Sequence, residues 1–226
     1  MKIISACYEI LTPISEGGIE ELKHIEKIAR VCYKSESLIS EDGESAKKLV
    51  TNLIKAGHGA MLEHSTLAVK FTVDRGVSHE LVRHRIASFA QESTRYVNYS
   101  KEKFGNEINV IDIFKGMQLD TKMKQLDSNQ ILLILQEWIA SMEDAERHYM
   151  KMIELGATPQ IARSVLPNST KTEIVITANY REWRNFFKLR TAPAAHPQMR
   201  EVTIPLLQEL KTKIPIIFDD IEVNEQ

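Results

Sequence analysis

Apolar positions along the chain alternate between a helical period and a strand period. Residues 18–33 place Ile19, Leu22, Ile25, Ile28, Ala29 and Cys32 three and four apart, the stripe of an amphipathic helix. Residues 44–56 read as a second helix, stopped by Gly57, and 129–155 as the longest one, ending at Gly156. Residues 181–190 carry Trp183, Phe186, Phe187 and Arg190 at i, i+3, i+4 and i+7. Pro159 opens a short helix that Pro167 ends, and 199–212 predicts a final helix broken near Pro205. Residues 3–10, 67–75 and 172–179 alternate or run β-rich and predict strands. GVSHELVRHRI at 76–86 looks helical, and QESTRYVNY at 91–99 reads as extended. Residues 105–127 are polar, with Gly105 and Gly116, and predict an irregular surface excursion. The expected fold is α+β with helices dominant, a single mixed domain over 1–226, since no linker, repeat or boundary stands out.

Composition narrows the function classes. Of 226 residues, 43% are hydrophobic and 27% charged, which suits a folded chain with a sizeable core and excludes a disordered one. The 29 basic and 31 acidic residues leave a net charge of −2, so no global attraction draws nucleic acid or an anionic membrane. An anion site must therefore be a local gathering of arginines. No apolar run approaches the roughly 20 residues of a membrane span. The start, MKIISACYEILTPISEGG, is acidic too early for a secretory signal, so a cytoplasmic protein is expected. Cys7 and Cys32 lack CxxC spacing and read as two core or half-buried thiols.

Common cofactor signatures are missing. Neither GxGxxG nor GxxxxGK[ST] occurs. His79-Glu80 is followed by His84 at i+5, about 140° round a helix, which excludes a shared zinc from one face and leaves no metal expected. The dense stretch is Arg83-His84-Arg85 through Arg95, with three arginines against one glutamate. Guanidinium forks suit phosphate oxygens. Were 91–97 extended, Gln91, Ser93 and Arg95 would share a face and could line a pocket; the bland alternative is a solvated helix end and a polar edge strand. Arg190 ends a buried stripe and needs a partner there, either an anion, a polarised carbonyl or the helix C-terminal dipole. Arg163 sits beside Ile161 and Val165, either in an ion pair or in a site. His58, between Gly57 and Gly59, is open to a planar ligand or simply part of a helix-ending turn.

RHRIASFAQES, from Arg83 to Ser93, fits R-H-R-(x)7-S and resembles the signature of flavin-dependent thymidylate synthases. Nearly the whole chain takes part. His58 and Glu63-His64 match the family's upstream histidine and Glu-His pair; IARSVLP matches A-R-x-x-L-P; ANYREWRNFFKLR followed by AHPQMRE matches N-x-R-x-x-x-N-F-x-x-x-R. The resemblance implies reductive methylation of dUMP to dTMP, with methylenetetrahydrofolate giving the carbon, NADPH the reducing equivalents and FAD mediating both. It also implies a mixed fold with a twisted sheet and long packed helices, and a homotetramer with active sites at subunit interfaces.

Carried over by residue, His58, Ala60, Glu63, Arg83, His84, Arg85, Gln91, Asn179, Arg181 and Asn185 would contact FAD. Glu80, Arg83, Gln91, Glu92, Ser93, Thr94, Arg95, Arg163 and Arg190 would contact dUMP. Arg190 would be catalytic, promoting ionisation at N3 of the uracil, and Ser93 would lie near the nucleotide without attacking it. Cys7 and Cys32 lack the Pro-Cys-His setting of the flavin-free synthases. The family often has Gln at Glu80, Glu at Gln91 and Thr or Ser at Ala60, so a flavin hydroxyl contact is lost at Ala60 or supplied by Ser65. Some members have Ser at Cys32. A second reading, a non-catalytic nucleotide-binding regulatory module, uses the same arginines without a flavin and separates from the first by flavin absorbance.

Overall fold

The computed structural model describes residues 1–223. The order is β1 (Lys2–Ile4), β2 (Cys7–Ile10), α1 (Ile19–Val31), α2 (Glu44–Lys55), a 3-10 turn (Gly59–His64), β3 (Thr66–Asp74), α3 (Arg75–Leu81) and β4 (Ala87–Gln91). It continues with β5 (Asn109–Ile111), α4 (Phe114–Leu119), α5 (Ser128–Glu154), α6 (Pro159–Ala162), β6 (Lys171–Asn179), α7 (Tyr180–Arg190), α8 (Pro197–Lys213) and α9 (Pro215–Phe218). This is the α+β mixture, rich in helix, that the periodicities indicate.

An antiparallel sheet in the order β2-β3-β6-β4 carries the core. Register pairs Val69 with Ile176 and Phe71 with Ile174, so the buried side chains of β3 and β6 share one face. Helix α7 lays Trp183, Phe186 and Phe187 in the same core. Trp183 donates its indole N–H to the carbonyl of Leu67 at 2.9 Å, which satisfies the one polar atom of a buried ring and fixes α7 to β3. No helix among the described residues is long and apolar enough to cross a membrane.

A smaller apolar cluster gathers Tyr99, Ile108, Val110, Met142, Tyr149 and Ala162 beneath α5. The rings of Tyr99 and Tyr149 meet edge to face, 5.7 Å apart. Of the 27 residues of α5 only Met142 and Tyr149 are buried, and Leu132 and Leu133 are 54% and 61% exposed.

Several expectations are corrected. The strand over 3–10 divides into β1, paired parallel with β5, and β2, which joins the main sheet. The surface excursion over 105–127 instead holds β5 and α4 and buries Val110, Ile111 and Met117, since these apolar residues pack although polar ones surround them. The helix over 76–86 ends at Leu81, and the strand lies over 87–91 rather than 91–99. Beyond Gln91 the chain turns: Tyr96 N–H and Val97 N–H both bond the Ser93 carbonyl, and the Ser93 hydroxyl takes the Arg95 N–H. Local side-chain bonding of this kind competes with a strand ladder, so Gln91, Ser93 and Arg95 do not share a strand face. Helix α8 runs unbroken through Pro205. An internal proline costs about 3 kcal/mol, whereas Val202, Leu206, Leu207 and Leu210 are buried on that helix and each such side chain contributes about 1.5–3 kcal/mol. Both cysteines are exposed rather than core or half-buried.

Candidate active site

Helix α7 begins with Asn179, whose side-chain oxygen accepts the N–H of Glu182 at 2.8 Å and caps the helix. Eleven residues later the helix ends at Arg190. Helix α3 is capped likewise by the buried Asp74, which accepts from Val77 N–H at 2.6 Å and whose carboxyl burial pushes above its usual range. These two helices meet at Arg190. Its Nη1 donates to Glu80 Oε2 at 2.8 Å, its Nη2 to the Glu80 carbonyl at 3.0 Å, and its Nε to His84 Nε2 at 3.0 Å. The partner that the sequence demanded for Arg190 is thus a carboxylate, a carbonyl and an imidazole of its own chain.

His84 is buried between Arg190 and Glu182, with Nδ1 at 2.9 Å from Glu182 Oε1 and its ring edge-on to Phe186. Burial lowers the His84 pKa below its usual value, Glu182 opposes this, and Arg190 lowers it further. Both Glu182 oxygens lie 3.3 Å from the amide nitrogen of Asn185.

Around this chain of groups open several cavities. One of about 440 Å³ is lined by Glu63, Ile86, Asn179, Arg181, Glu182 and Asn185. Arg181 pairs with Glu63 at 2.5 Å and also borders a cavity of about 380 Å³ over His58 and Ala60. A Cβ at Gly59 would stand 3.2 Å from Arg181 Nε, so glycine there lets the turn lie against the guanidinium. A third cavity, about 440 Å³, is lined by Arg75, His79, Thr94, Arg163 and Asn168 among others. Arg163 is exposed and reaches Thr94 Oγ1 at 3.3 Å, with no ion pair among the described residues. His79 and Glu80, neighbours on α3, therefore face the third cavity and Arg190 respectively.

The candidate residues do not all converge within one chain. Arg83, Arg85 and Arg95 are exposed, Arg95 lying over the Tyr96 ring at 5.4 Å. Gln91 turns inward and donates to Ser78 Oγ at 2.9 Å and Thr172 Oγ1 at 3.2 Å. Glu92 pairs with Lys171 at 3.0 Å and accepts from the Tyr99 hydroxyl.

Known proteins with this architecture decide the family. The description "thymidylate synthase complementing protein" fits residues 19–216. A flavin-dependent thymidylate synthase of Corynebacterium aurimucosum is 31% identical over 213 residues, covering 93% of this chain and 84% of its own. One from Mycobacterium sp. (strain JLS) is 32% identical over 220 residues, covering 92% and 82%. The chain belongs to the flavin-dependent thymidylate synthase family. Its fold is also that of PolB from Streptomyces cacaoi, a UMP/dUMP methylase solved with 5-Br dUMP, at a TM-score of 0.78 and 23% identity over 97% of this chain and 96% of that one.

Ser65 does not line the cavities described above, and its buried Oγ has no hydrogen-bond partner among the described residues. Two residues escaped the motif reading. Arg75 lines the third cavity with a buried Nη1 that has no partner among the described residues; its placement after Asp74 at a helix start was the available signal. Glu182 holds His84 from a position the motif leaves open, and no spacing rule points to it.

Proposed function

We propose that this flavin-dependent thymidylate synthase family member methylates dUMP to dTMP reductively, with FAD as cofactor, methylenetetrahydrofolate as carbon donor and NADPH as reductant. We further propose a single catalytic domain working in the cytoplasm as a homotetramer. The observation that carries the reaction is the setting of Arg190. Three of its five N–H donors are committed to Glu80 and His84, which fixes the plane of the guanidinium and leaves two donors for a ligand. A fixed cation with two free N–H groups suits the N3 and carbonyl edge of a uracil as negative charge develops there.

The residues around the neighbouring cavities suit FAD. Asn179 and Asn185 offer amides, Arg181 a guanidinium for a phosphate, and Gly59 lets the 59–64 turn lie against that guanidinium. Glu63 holds Arg181 in place, and His58 and Ala60 border the same side. Bound there, the flavin would carry both hydride and one-carbon unit, while the protein positions and polarises.

Arg163, Thr94, His79 and Arg75 form a cationic and hydroxyl-bearing wall suited to a phosphate monoester. The exposed Arg83, Arg85 and Arg95, with the half-buried Ser93, would complete a site in a neighbouring subunit, which accounts for arginines solvated in a single chain. Exposed leucines on α5 supply apolar surface for that assembly. Purified protein should take up FAD and form dTMP from dUMP with NADPH and methylenetetrahydrofolate. A colourless protein that rejects added FAD sinks the proposal.

A further inference from the structure

Glu182 is the second anion of the Arg190 constellation, and its effect passes through His84. An arginine Nε–H can only donate. At 3.0 Å from it, His84 Nε2 must therefore be bare, and a neutral imidazole then carries its proton on Nδ1. That proton points at Glu182 Oε1, 2.9 Å away. The opposite tautomer would set two N–H groups head-on and leave the carboxylate facing a bare nitrogen. One tautomer satisfies every atom, and Glu182 is what selects it. The Glu182 side chain is only 10% exposed and its oxygens are further occupied by Asn185, so it has little freedom to swing away.

We infer that Glu182 is a positioning residue: it holds His84 in the Nδ1–H tautomer, which makes Nε2 the acceptor that locks the Arg190 guanidinium toward the substrate, and protonation of His84 undoes the lock. An imidazolium would present N–H to N–H at Arg190. The charged groups facing the ring are Glu182 and Arg190 from α7, with Glu80 of α3 on the far side of Arg190. The inference rests on the proposal that Arg190 meets the pyrimidine.

The test uses FAD-loaded enzyme and two variants. Glu182→Leu removes the acceptor; kcat should fall about tenfold or more with a smaller change in the KM for dUMP, because Arg190 acts on developing charge. Glu182→Gln keeps an amide oxygen to accept from Nδ1–H. It should restore kcat at neutral pH to within about threefold of wild type, and move the acid limb of kcat to lower pH, since the carboxylate's raising influence on His84 is gone. Full activity in Glu182→Leu, or equal losses in both variants with an unmoved pH profile, overturns the inference.

Unfolding temperature against pH, without substrates, reads the pair separately and covers a Leu variant that fails to fold. His84 folds with a lowered pKa, so its contribution to stability is lost as pH falls below about 6.5. In Glu182→Gln that loss should extend to lower pH; superimposable curve shapes overturn the inference. Wild-type protein that makes no dTMP yet shows this shift would refute the proposed reaction and leave the His84–Glu182 coupling standing.

Discussion

The Nε–H of Arg190 points at Nε2 of His84 from 3.0 Å, which couples a permanent cation to a buried neutral imidazole. With Glu80 held on the other edge of the same guanidinium, the end of α7 is tied to α3 by two hydrogen bonds and to His84, just beyond α3, by a third. The side chain proposed to stabilise negative charge on the substrate is thereby fixed before any substrate arrives, so reorganisation during reaction is small.

Arg190→Ala should lower kcat by about 10²–10³-fold, the usual effect of removing a preorganised charge-stabilising donor. Arg190→Lys should recover little, because an ammonium on a flexible stem cannot bridge Glu80 and His84 as a planar fork does. Circular dichroism and gel filtration should match wild type for both. Turnover near wild type in Arg190→Ala would remove it from the reaction.

Asn179 has two separable duties. Its oxygen caps α7, and the residue lines the cavity assigned to the flavin, where its amide nitrogen would be the group left for a ligand. Asn179→Ala should lose about 1 kcal/mol of stability with the cap and also bind FAD more weakly. Asn179→Asp should keep the cap and weaken FAD alone, read by fluorescence titration and thermal melts. Equal melting losses in both variants would contradict the division.

Much of this was written in the chain, and the failures have physical causes. Core helices and strands announce themselves because Trp183, Phe186 and Phe187, or Val69, Phe71 and Val73, repeat at the period of the element that buries them. The motif arginines were legible by type and order. Their pairing was not: Glu80 and His84 reach Arg190 only because the chain returns from β4 through β6 to α7, more than 100 residues later. The inward bonds of Gln91 were not legible either, because they depend on Ser78 and on Thr172 of the neighbouring strand. Residues 105–127 looked solvated because their few apolar side chains are too sparse to show a period, yet Val110, Ile111 and Met117 are buried.

Arg75 should matter to nucleotide affinity although no motif names it. Its buried Nη1 lacks a partner among the described residues, and the residue lines the cavity of Arg163 and Thr94. Leaving such a donor unpaired is unfavourable, by about 1–3 kcal/mol, until an anion satisfies it. Arg75→Ala should raise the KM for dUMP about tenfold and leave FAD binding unchanged. An unaltered KM would show that the phosphate sits elsewhere.

The α5 leucines test the assembly. Leu132 and Leu133 lie 54% and 61% exposed on a helix with little buried surface. Replacing both with glutamate would place charge in an apolar interface, at a cost that such an interface does not bear. Light scattering should show wild type as a tetramer and the double variant as smaller species with reduced turnover. A tetrameric, active double variant would place the contact on another face.

Glu201 predicts a pH dependence of the opposite sign to that of His84. Both its carboxylate oxygens are buried without a hydrogen-bond partner among the described residues. Burial pushes its pKa from 4.5 up to about 7; Lys115 opposes the shift, and Asp112 and Asp74 add to it. Between those two values the folded protein keeps a proton that the unfolded chain has released, so this group makes stability fall as pH rises through the window. Above it the full penalty is present, on the order of 1–3 kcal/mol for an unpaired buried group that retains some exposure. Glu201→Gln cannot ionise. It should melt at a higher temperature than wild type at pH 8, by about 2–4 °C for each kcal/mol in a chain of this length, and the gain should vanish toward pH 5. Melts at matched protein concentration decide it: a stability difference that stays constant from pH 5 to 8 would mean that the Glu201 carboxyl titrates normally in the folded protein.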